Sequence, residues 1–226
     1  MTFEFVKLPE LDFNMEAVTT DAGRVYLTPS GFKYPSVTTV LSDYGKKAFF
    51  EWRERVGAEE ANRVSRLASS RGTKLHTVCE KYLLNEMTSM KIASMLPTTK
   101  ELFIKIKPYI DTNIGKVYAL EQALYSDALG IAGRVDCIAE WNGKLAIIDF
   151  KSSTHQKDKE NIGNYFMQCT AYALMFEELT GQTLDQIVVL IGTENGPAQV
   201  FIEDKAKYIT ELKKYVAKHY RKKMLT

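Results

Sequence analysis

Two aspartates and a lysine flank an Asn-Gly pair at 142–143, within a stretch whose apolar residues alternate as in two β-strands. Asn-Gly favours a two-residue hairpin turn, and pairing outward from that turn places Asp136 directly opposite Asp149. Facing carboxylates on paired strands repel each other, so folding alone does not explain them. A divalent cation between the two carboxylates would explain them, because hard cations prefer carboxylate oxygens. Side chains alternate along a strand, so Lys151 shares a face with Asp149 while Phe150 points into the core.

Two carboxylates and a lysine on adjacent strands are groups that metal-assisted phosphodiester hydrolysis uses. Lys151 would hold a water or hydroxide near the metal, or stabilise charge that develops on a phosphate. The alternative is an exposed strand face with one Asp149–Lys151 salt bridge and a solvated Asp136, and a bulge in either strand would shift the register. Spacing alone leaves both interpretations open.

The elements that must position these residues predict a mixed α/β domain. Helical spacing, strand alternation and turn residues assign the segments in order: a hairpin within 24–40 followed by a short helix capped by Ser36, helices over 58–85 and 98–114, strands over 115–125, 131–141 and 144–150, a helix over 161–179, strands over 186–192 and 198–202, and a helix over 204–223. We expect one domain over 1–226, with a mainly helical portion at 1–114 and a sheet core at 115–226.

The two aspartate segments resemble motifs of a known family. Gly133-Arg134-Val135-Asp136 and Asp149-Phe150-Lys151 are similar to motifs II and III of the PD-(D/E)xK nucleases, most closely of the RecB-like branch, which includes mitochondrial and phage exonucleases. Other motifs of that branch follow in its order: PSVT at 35–38 before Trp52, GTKLH at 72–76 with Glu80, and Gln168 with Tyr172. Val135 replaces the proline that names the superfamily, as is usual in this branch.

The resemblance implies a restriction-endonuclease-like core, in which helices flank a mixed central β-sheet. It also implies a nuclease that depends on Mg²⁺ or Mn²⁺, with Lys151 catalytic. The implied metal ligands are the side chains of His76, Asp136 and Asp149 and the backbone carbonyl of Phe150.

Two glutamates accompany the implied ligands. Glu80 lies one helical turn after His76, so both can reach one site, where Glu80 would orient the histidine. The alternative is a pair on a helix surface. Imidazole suits Mn²⁺ better than Mg²⁺. Glu121 matches an acidic position of the family and would join catalysis by holding a second metal or orienting water; alternatively, it is an ordinary solvated residue of an edge strand.

The predicted substrate contacts lie near the proposed metal site in the sequence: Trp52, Arg71, Lys74, Ser152, Ser153, Gln168 and Tyr172. A glutamine can donate to a phosphate or contact a base, and a tyrosine can stack on a base or fill the core. The serines directly follow Lys151, where their hydroxyls would reach a phosphate or belong to a loop. Two basic segments could contact the DNA backbone, the stretch before His76 and the lysine-rich last helix. The stretch before His76 is the better candidate, because it leads into the metal site.

Composition excludes several classes of protein. The chain of 226 residues has a net charge of +2, too even for a general nucleic-acid coat. Its three cysteines are widely spaced and cannot supply the four ligands of an iron–sulfur cluster. The acidic N-terminal segment resembles neither a signal nor a transit peptide, and no apolar run approaches the roughly 20 residues that span a membrane. We expect a protein of the bacterial or phage-infected cytoplasm.

These features together predict a metal-dependent DNA exonuclease in phage or bacterial replication, recombination or repair. It would be sequence-independent and would favour single-stranded ends. One alternative is a structure-specific or restriction-type endonuclease on the same core. Another is a non-catalytic nucleic-acid-binding subunit, against which the joint presence of Asp136, Asp149 and Lys151 argues. No protein partner is indicated.

Overall fold

A computed structural model describes residues 2–224, so both ends of the predicted 1–226 domain lie outside the described residues. Two β-sheets organise this part of the chain. The strands are β1 (Glu16–Thr20), β2 (Gly23–Leu27), β3 (Lys33–Pro35), β4 (Ile114–Ser126), β5 (Ile131–Trp141), β6 (Lys144–His155), β7 (Gln186–Asn195) and β8 (Gln199–Asp204). The three N-terminal strands form a small sheet, and β4 to β8 form the central one.

Helices surround these strands. The α-helices are α1 (Val37–Val40), α2 (Lys46–Val56), α3 (Ala58–Leu83), α4 (Ser89–Ala93), α5 (Pro97–Asn113), α6 (Gly163–Thr180) and α7 (Ile209–Met224). Ser36 caps α1 as predicted, because its hydroxyl accepts a hydrogen bond from the Thr39 backbone N–H at 3.0 Å. Within residues 2–224, no helix is long and apolar enough to cross a membrane.

The central sheet is mixed, and helices cover both of its faces. Its strands follow chain order, and only β6 and β7 are parallel, joined by the crossover through α6. Strand alternation sends Ile147 and Val189 toward α6, and it sends Ile148 and Val188 toward α3 and α5. The predicted α/β architecture, a mixed sheet flanked by helices, is therefore confirmed.

Several elements differ from the sequence-based expectation, among them the short helix α4 at Ser89–Ala93, which was not predicted. Strand β1 was missed because all five of its residues are exposed and give no burial pattern. Helix α2 was missed as a separate helix because it buries no residue. Strand β6 continues to His155, five residues beyond its predicted end at 150, and pairs in parallel with β7 there. Ser152 and Ser153 therefore belong to a strand and not to a loop.

The three cysteines are buried free thiols. Cys79 and Cys137 belong to the core under α3, and Cys169 belongs to the core under α6. Burial raises the pKa of each thiol, which keeps it protonated at neutral pH. Their role is to fill the core, and the predicted absence of an iron–sulfur cluster stays a prediction.

Candidate active site

The site forms where β5 and β6 stop pairing. Their observed register runs from Trp141↔Lys144 at the turn to Cys137↔Ile148, as the Asn-Gly turn predicts. The next residues outward are Asp136 and Asp149. There the ladder ends, and the Phe150 N–H donates a hydrogen bond to Asp136 Oδ2 at 2.9 Å. The two carboxylates therefore lie just beyond the last paired residues of the hairpin, where a side-chain hydrogen bond replaces the ladder.

Asp149 is buried, with 1% of its surface exposed. Its Oδ1 accepts hydrogen bonds from Lys151 Nζ at 2.6 Å and from Gln168 Nε2 at 3.2 Å. Its Oδ2 is buried without a hydrogen-bond partner among the described residues. A buried carboxylate oxygen without a partner is costly, so this atom calls for a ligand such as a cation.

A second group of ligand atoms surrounds Asp136. Helix α3 presents His76, whose Nδ1 lies 3.3 Å from Asp136 Oδ1. His76, Glu121 and Asp136 each offer one ligand atom, and these atoms all lie within 4.8 Å of one another. One imidazole and two carboxylates at this spacing suit a divalent cation.

Glu121 reaches this group through an unusual backbone conformation. The flanking pairs Leu120↔Cys137 and Gln122↔Val135 place it opposite Asp136, although the two residues do not pair. Its φ of 47° lies in the left-handed region, which costs a non-glycine residue energy. Burial and the Asp136 charge raise the pKa of the Glu121 carboxyl to about 7. This environment favours a functional role over that of a solvated edge-strand glutamate.

The pKa values of Asp149, Asp136 and Lys151 are shifted in different directions. Burial raises the pKa of Asp149 to about 6, although Lys151 opposes the rise. Burial would also raise the pKa of Asp136, but the hydrogen bond and charge of His76, the charge of Lys151 and the Phe150 N–H together outweigh burial and lower it. For Lys151, burial alone would lower the pKa, but the carboxylates of Asp149 and Asp136 raise it above the ordinary value. Lys151 is therefore a cation at neutral pH.

Gln168 and Tyr172 lie on α6, where Gln168 contacts Asp149 and Tyr172 contacts Gln168. Gln168 Nε2 donates to Asp149 and lies 3.5 Å from the Tyr172 hydroxyl. Tyr172 is 3% exposed, so base stacking by its ring, one of the two predicted roles, is wrong. A Cβ on Gly133 would lie 2.7 Å from the Tyr172 ring. Glycine is therefore required at 133 for β5 to pass this ring.

Arg71 connects the histidine helix to the catalytic strand. Its guanidinium donates to Ser152 Oγ at 3.3 Å, to Thr154 Oγ1 at 2.9 Å and to Glu194 at 2.7 Å. These contacts tie α3 to β6 and β7. Arg71 was predicted to contact a DNA phosphate. Its guanidinium is instead bound to the carboxylate of Glu194, a residue distant in sequence.

Comparison with known families assigns the chain. The sequence profile of the PD-(D/E)XK nuclease superfamily matches residues 73–224, more than half of the chain. The chain belongs to this nuclease superfamily. The matched region begins in the helix that carries His76, and it includes Asp136, Asp149 and Lys151. The family inferred from the two aspartate motifs is thus confirmed.

Two curated relatives are mitochondrial nucleases. Mitochondrial genome maintenance exonuclease 1 of Mus musculus is 27% identical over 205 residues, covering 81% of this chain and 59% of the relative. Its Homo sapiens namesake is 30% identical over 149 residues, covering 61% and 42%. This nuclease chain therefore spans only about half the length of the relatives it matches. The predicted bacterial or phage setting stays a prediction.

Two solved structures are distantly similar to the nuclease. An Eubacterium rectale protein, provisionally named an exonuclease, aligns with a TM-score of 0.47 at 12% identity, covering 67% of this chain and 66% of that one. The protein SSO0001 aligns with a TM-score of 0.43 at 13% identity, covering 82% and 74%. At these scores neither similarity contributes to the assignment.

The other predicted site residues of the nuclease differ in how far they are buried. Glu80 is half-buried on α3, where its charge helps to raise the pKa of Glu121. Lys74 is exposed on the same helix. Ser153 is only 6% exposed and offers little surface to a substrate. Trp52 is half-buried on α2.

Sequence reasoning missed three aromatic residues near the predicted contacts. Phe49 and Phe50 are 43% and 48% exposed, and the Phe49 ring centroid lies 5.6 Å from that of Trp52. Lys151 Nζ lies 5.2 Å from the centroid of the Tyr165 ring. The run Phe49-Phe50 on an otherwise charged helix was an available signal, whereas Tyr165 had none.

Glu121→Gln should change the pH dependence of stability. The unfolded chain releases this proton near the ordinary pKa of 4.5, and the folded protein keeps it to about pH 7. The free energy of unfolding of the metal-free wild type therefore decreases as the pH rises from about 4.5 to about 7. Glu121→Gln has no proton to release there and should not show this decrease. Urea titrations in chelator across the interval measure the difference, with the exposed Glu160→Gln as control. A difference between Glu121→Gln and wild type that stays constant with pH would contradict the assignment.

Proposed function

We propose that this chain is a divalent-metal-dependent DNA exonuclease that hydrolyses phosphodiester bonds independently of sequence and favours single-stranded ends. The observation that carries the proposal is the Oδ2 of Asp149, which is buried without a hydrogen-bond partner among the described residues, in a carboxylate that Lys151 binds at Oδ1 and that feels the charge of Asp136. Membership of a nuclease superfamily gives this arrangement its chemical class. In this proposal residues 1–226 act as one nuclease domain.

These residues fit a divalent cation, because His76, Glu121 and Asp136 offer clustered ligand atoms and Asp149 offers a buried, unpartnered oxygen. In our proposal His76, Asp136 and Asp149, with the backbone carbonyl of Phe150, would hold the cation, and Glu121 would bind a second cation or orient water. Mg²⁺ and Mn²⁺ both accept carboxylate oxygens, and the imidazole favours Mn²⁺. When bound, the cation lowers the pKa of a coordinated water and stabilises negative charge on the phosphate.

Side chains of the protein would orient the metal ligands and stabilise the negative charge on the phosphate. Lys151 is cationic, so it would donate to a phosphate oxygen as negative charge develops there, and it is too strongly protonated to act as a base. Asp149 holds the Lys151 ammonium, and Gln168 holds Asp149. Glu80 would orient His76 from the following helical turn. Arg71 fixes α3 against β6, which keeps His76 close to Asp136.

A single strand is the substrate that the surroundings favour. The exposed Phe49 and Phe50 and the half-buried Trp52 form an aromatic group on α2. Unstacked bases bind such rings whatever their sequence, and Lys74 and the Ser152 hydroxyl would contact the DNA backbone. The names of the curated relatives, genome maintenance exonucleases, support action at DNA ends.

Loss of either central side chain should abolish cleavage. Asp149→Asn and Lys151→Ala should each lower kcat on single-stranded DNA by about 10²–10³-fold or more, because each removes charge from the reacting centre. The exposed Asp158→Asn and Lys157→Ala, which make the same changes a few residues away, should retain activity. Circular dichroism and Tm verify folding. Wild-type kcat in Asp149→Asn would overturn the site assignment.

Loss of the histidine should weaken metal binding without removing the site. His76→Ala should raise the Mn²⁺ concentration for half-maximal activity by about tenfold or more, because several ligands remain. Saturating Mn²⁺ should restore part of the activity. The exposed His155→Ala is the matched control. If His76→Ala has the same metal dependence as wild type, His76 does not bind the metal.

The requirement for an end separates an exonuclease from an endonuclease on the same core. Linear and circular single strands of one sequence are incubated with the protein and Mg²⁺ or Mn²⁺. Linear strands should be degraded and closed circles should resist, because an exonuclease needs a free terminus. Equal rates on the two forms would reject the exonuclease and support the endonuclease. Binding to both without cleavage would support a non-catalytic subunit.

A further inference from the structure

A cleft rich in lysine lies between the small N-terminal sheet and the last helix. Its volume is about 470 Å³. One wall is formed by β3 and the region of α1, and the other by α7. We call it the lysine cleft after its basic lining residues, Lys33, Lys218, Lys222 and Lys223. Apolar side chains, among them Val25 and Val40, contribute to the same lining.

The cleft carries an excess of positive charge. Asp43 is the carboxylate of its lining. Lys218 Nζ lies 3.1 Å and Lys46 Nζ 3.8 Å from the Asp43 carboxylate, and Lys222 also donates to it. The ammonium groups of Lys222 and Lys218 hold the pKa of Asp43 down at about 2. Because several cations share one carboxylate and Lys33 lies on the opposite wall, the cleft attracts polyanions.

A smaller hollow lies next to the lysine cleft, on the side of Gln168. This hollow has a volume of about 220 Å³, shares Ser42 with the lysine cleft, and reaches Gln168. Its other lining residues include Thr38 and Asn164, which are polar and uncharged. Gln168 donates to Asp149 in the active site. Because the lining of this hollow is uncharged, a DNA strand that ran from Asp149 past Gln168 toward the cleft would meet no carboxylate within the hollow.

We propose that the lysine cleft binds the phosphodiester backbone of the DNA strand whose reacting end lies at Asp149. This proposal rests on the proposed function, because it needs a substrate longer than the few nucleotides that the active site covers. Lysine ammonium groups are compact point charges, which bind phosphates without reading bases. The binding is therefore sequence-independent, and its contribution grows with strand length. The last helix, which the sequence alone ranked as the weaker basic surface, becomes part of the substrate path.

Binding of labelled oligothymidylates of two lengths, measured in chelator, tests this proposal without any cleavage. A strand of about 4 nucleotides is no longer than a typical single-strand binding site, and a strand of about 30 nucleotides is longer than one. The double variant Lys33→Ala/Lys218→Ala should bind the long strand more weakly. Its slope of log affinity against log salt should fall in magnitude by about 1.4, since each lost phosphate contact removes about 0.7. Binding of the short strand should match wild type.

A matched control removes the same charge elsewhere on α7. Lys213 and Lys214 are exposed and do not line the cleft, so Lys213→Ala/Lys214→Ala should leave the salt slope for the long strand unchanged. An equal loss in both double variants would show a general charge effect and reject the cleft. Wild-type binding in the cleft variant would also reject it, and would leave an acidic protein partner as the occupant to test.

Asp43→Asn gives a result of opposite sign. Asp43 competes with a phosphate for Lys218 and Lys222, so removing its charge should tighten binding of the long strand and steepen its salt dependence. A merely structural role for these ion pairs would instead lower Tm with no gain in affinity, and that outcome would contradict the proposal. All readouts are binding measurements without metal, so a failure of catalysis remains distinguishable from a failure of the cleft.

Discussion

The structure of the site depends on burying the Asp149 carboxylate while leaving one of its oxygens without a protein partner. Burial in an apolar environment disfavours the charge, and Lys151 with Gln168 compensates only at Oδ1. Such a carboxylate is unfavourable for folding alone. In the proposed function a divalent cation bound to Oδ2 would compensate for this cost.

The mixed sheet brings the contributing elements to this point. Hairpin pairing brings Asp136 and Asp149 to the positions just beyond its last pair, where the Phe150 N–H bonds the Asp136 carboxylate instead of a backbone carbonyl. The parallel pairing of β6 and β7 requires the α6 crossover, which carries Gln168 to Asp149. On the other face α3 packs on β6 and presents His76. Each functional side chain thus comes from an element with a separate packing role.

Local patterns predicted the parts of the site that depend on local geometry. The Asn-Gly turn fixes the hairpin register, and strand alternation puts Phe150 in the core and Lys151 beside Asp149. The left-handed conformation of Glu121 was not predictable, since it arises where β4 and β5 fall out of regular pairing. The engagement of Arg71 by Glu194 and the burial of Tyr172 depend on contacts between residues distant in sequence.

Direct observation of the metal tests the central claim, that Asp149 Oδ2 and Asp136 form a cation site. Crystals of the protein grown with Mn²⁺ give an anomalous difference map in which manganese is unmistakable. A peak in contact with Asp149 Oδ2 and the Asp136 carboxylate, next to His76, is the predicted result. An ordered protein without such a peak at saturating Mn²⁺, or with manganese bound only elsewhere, would contradict the account.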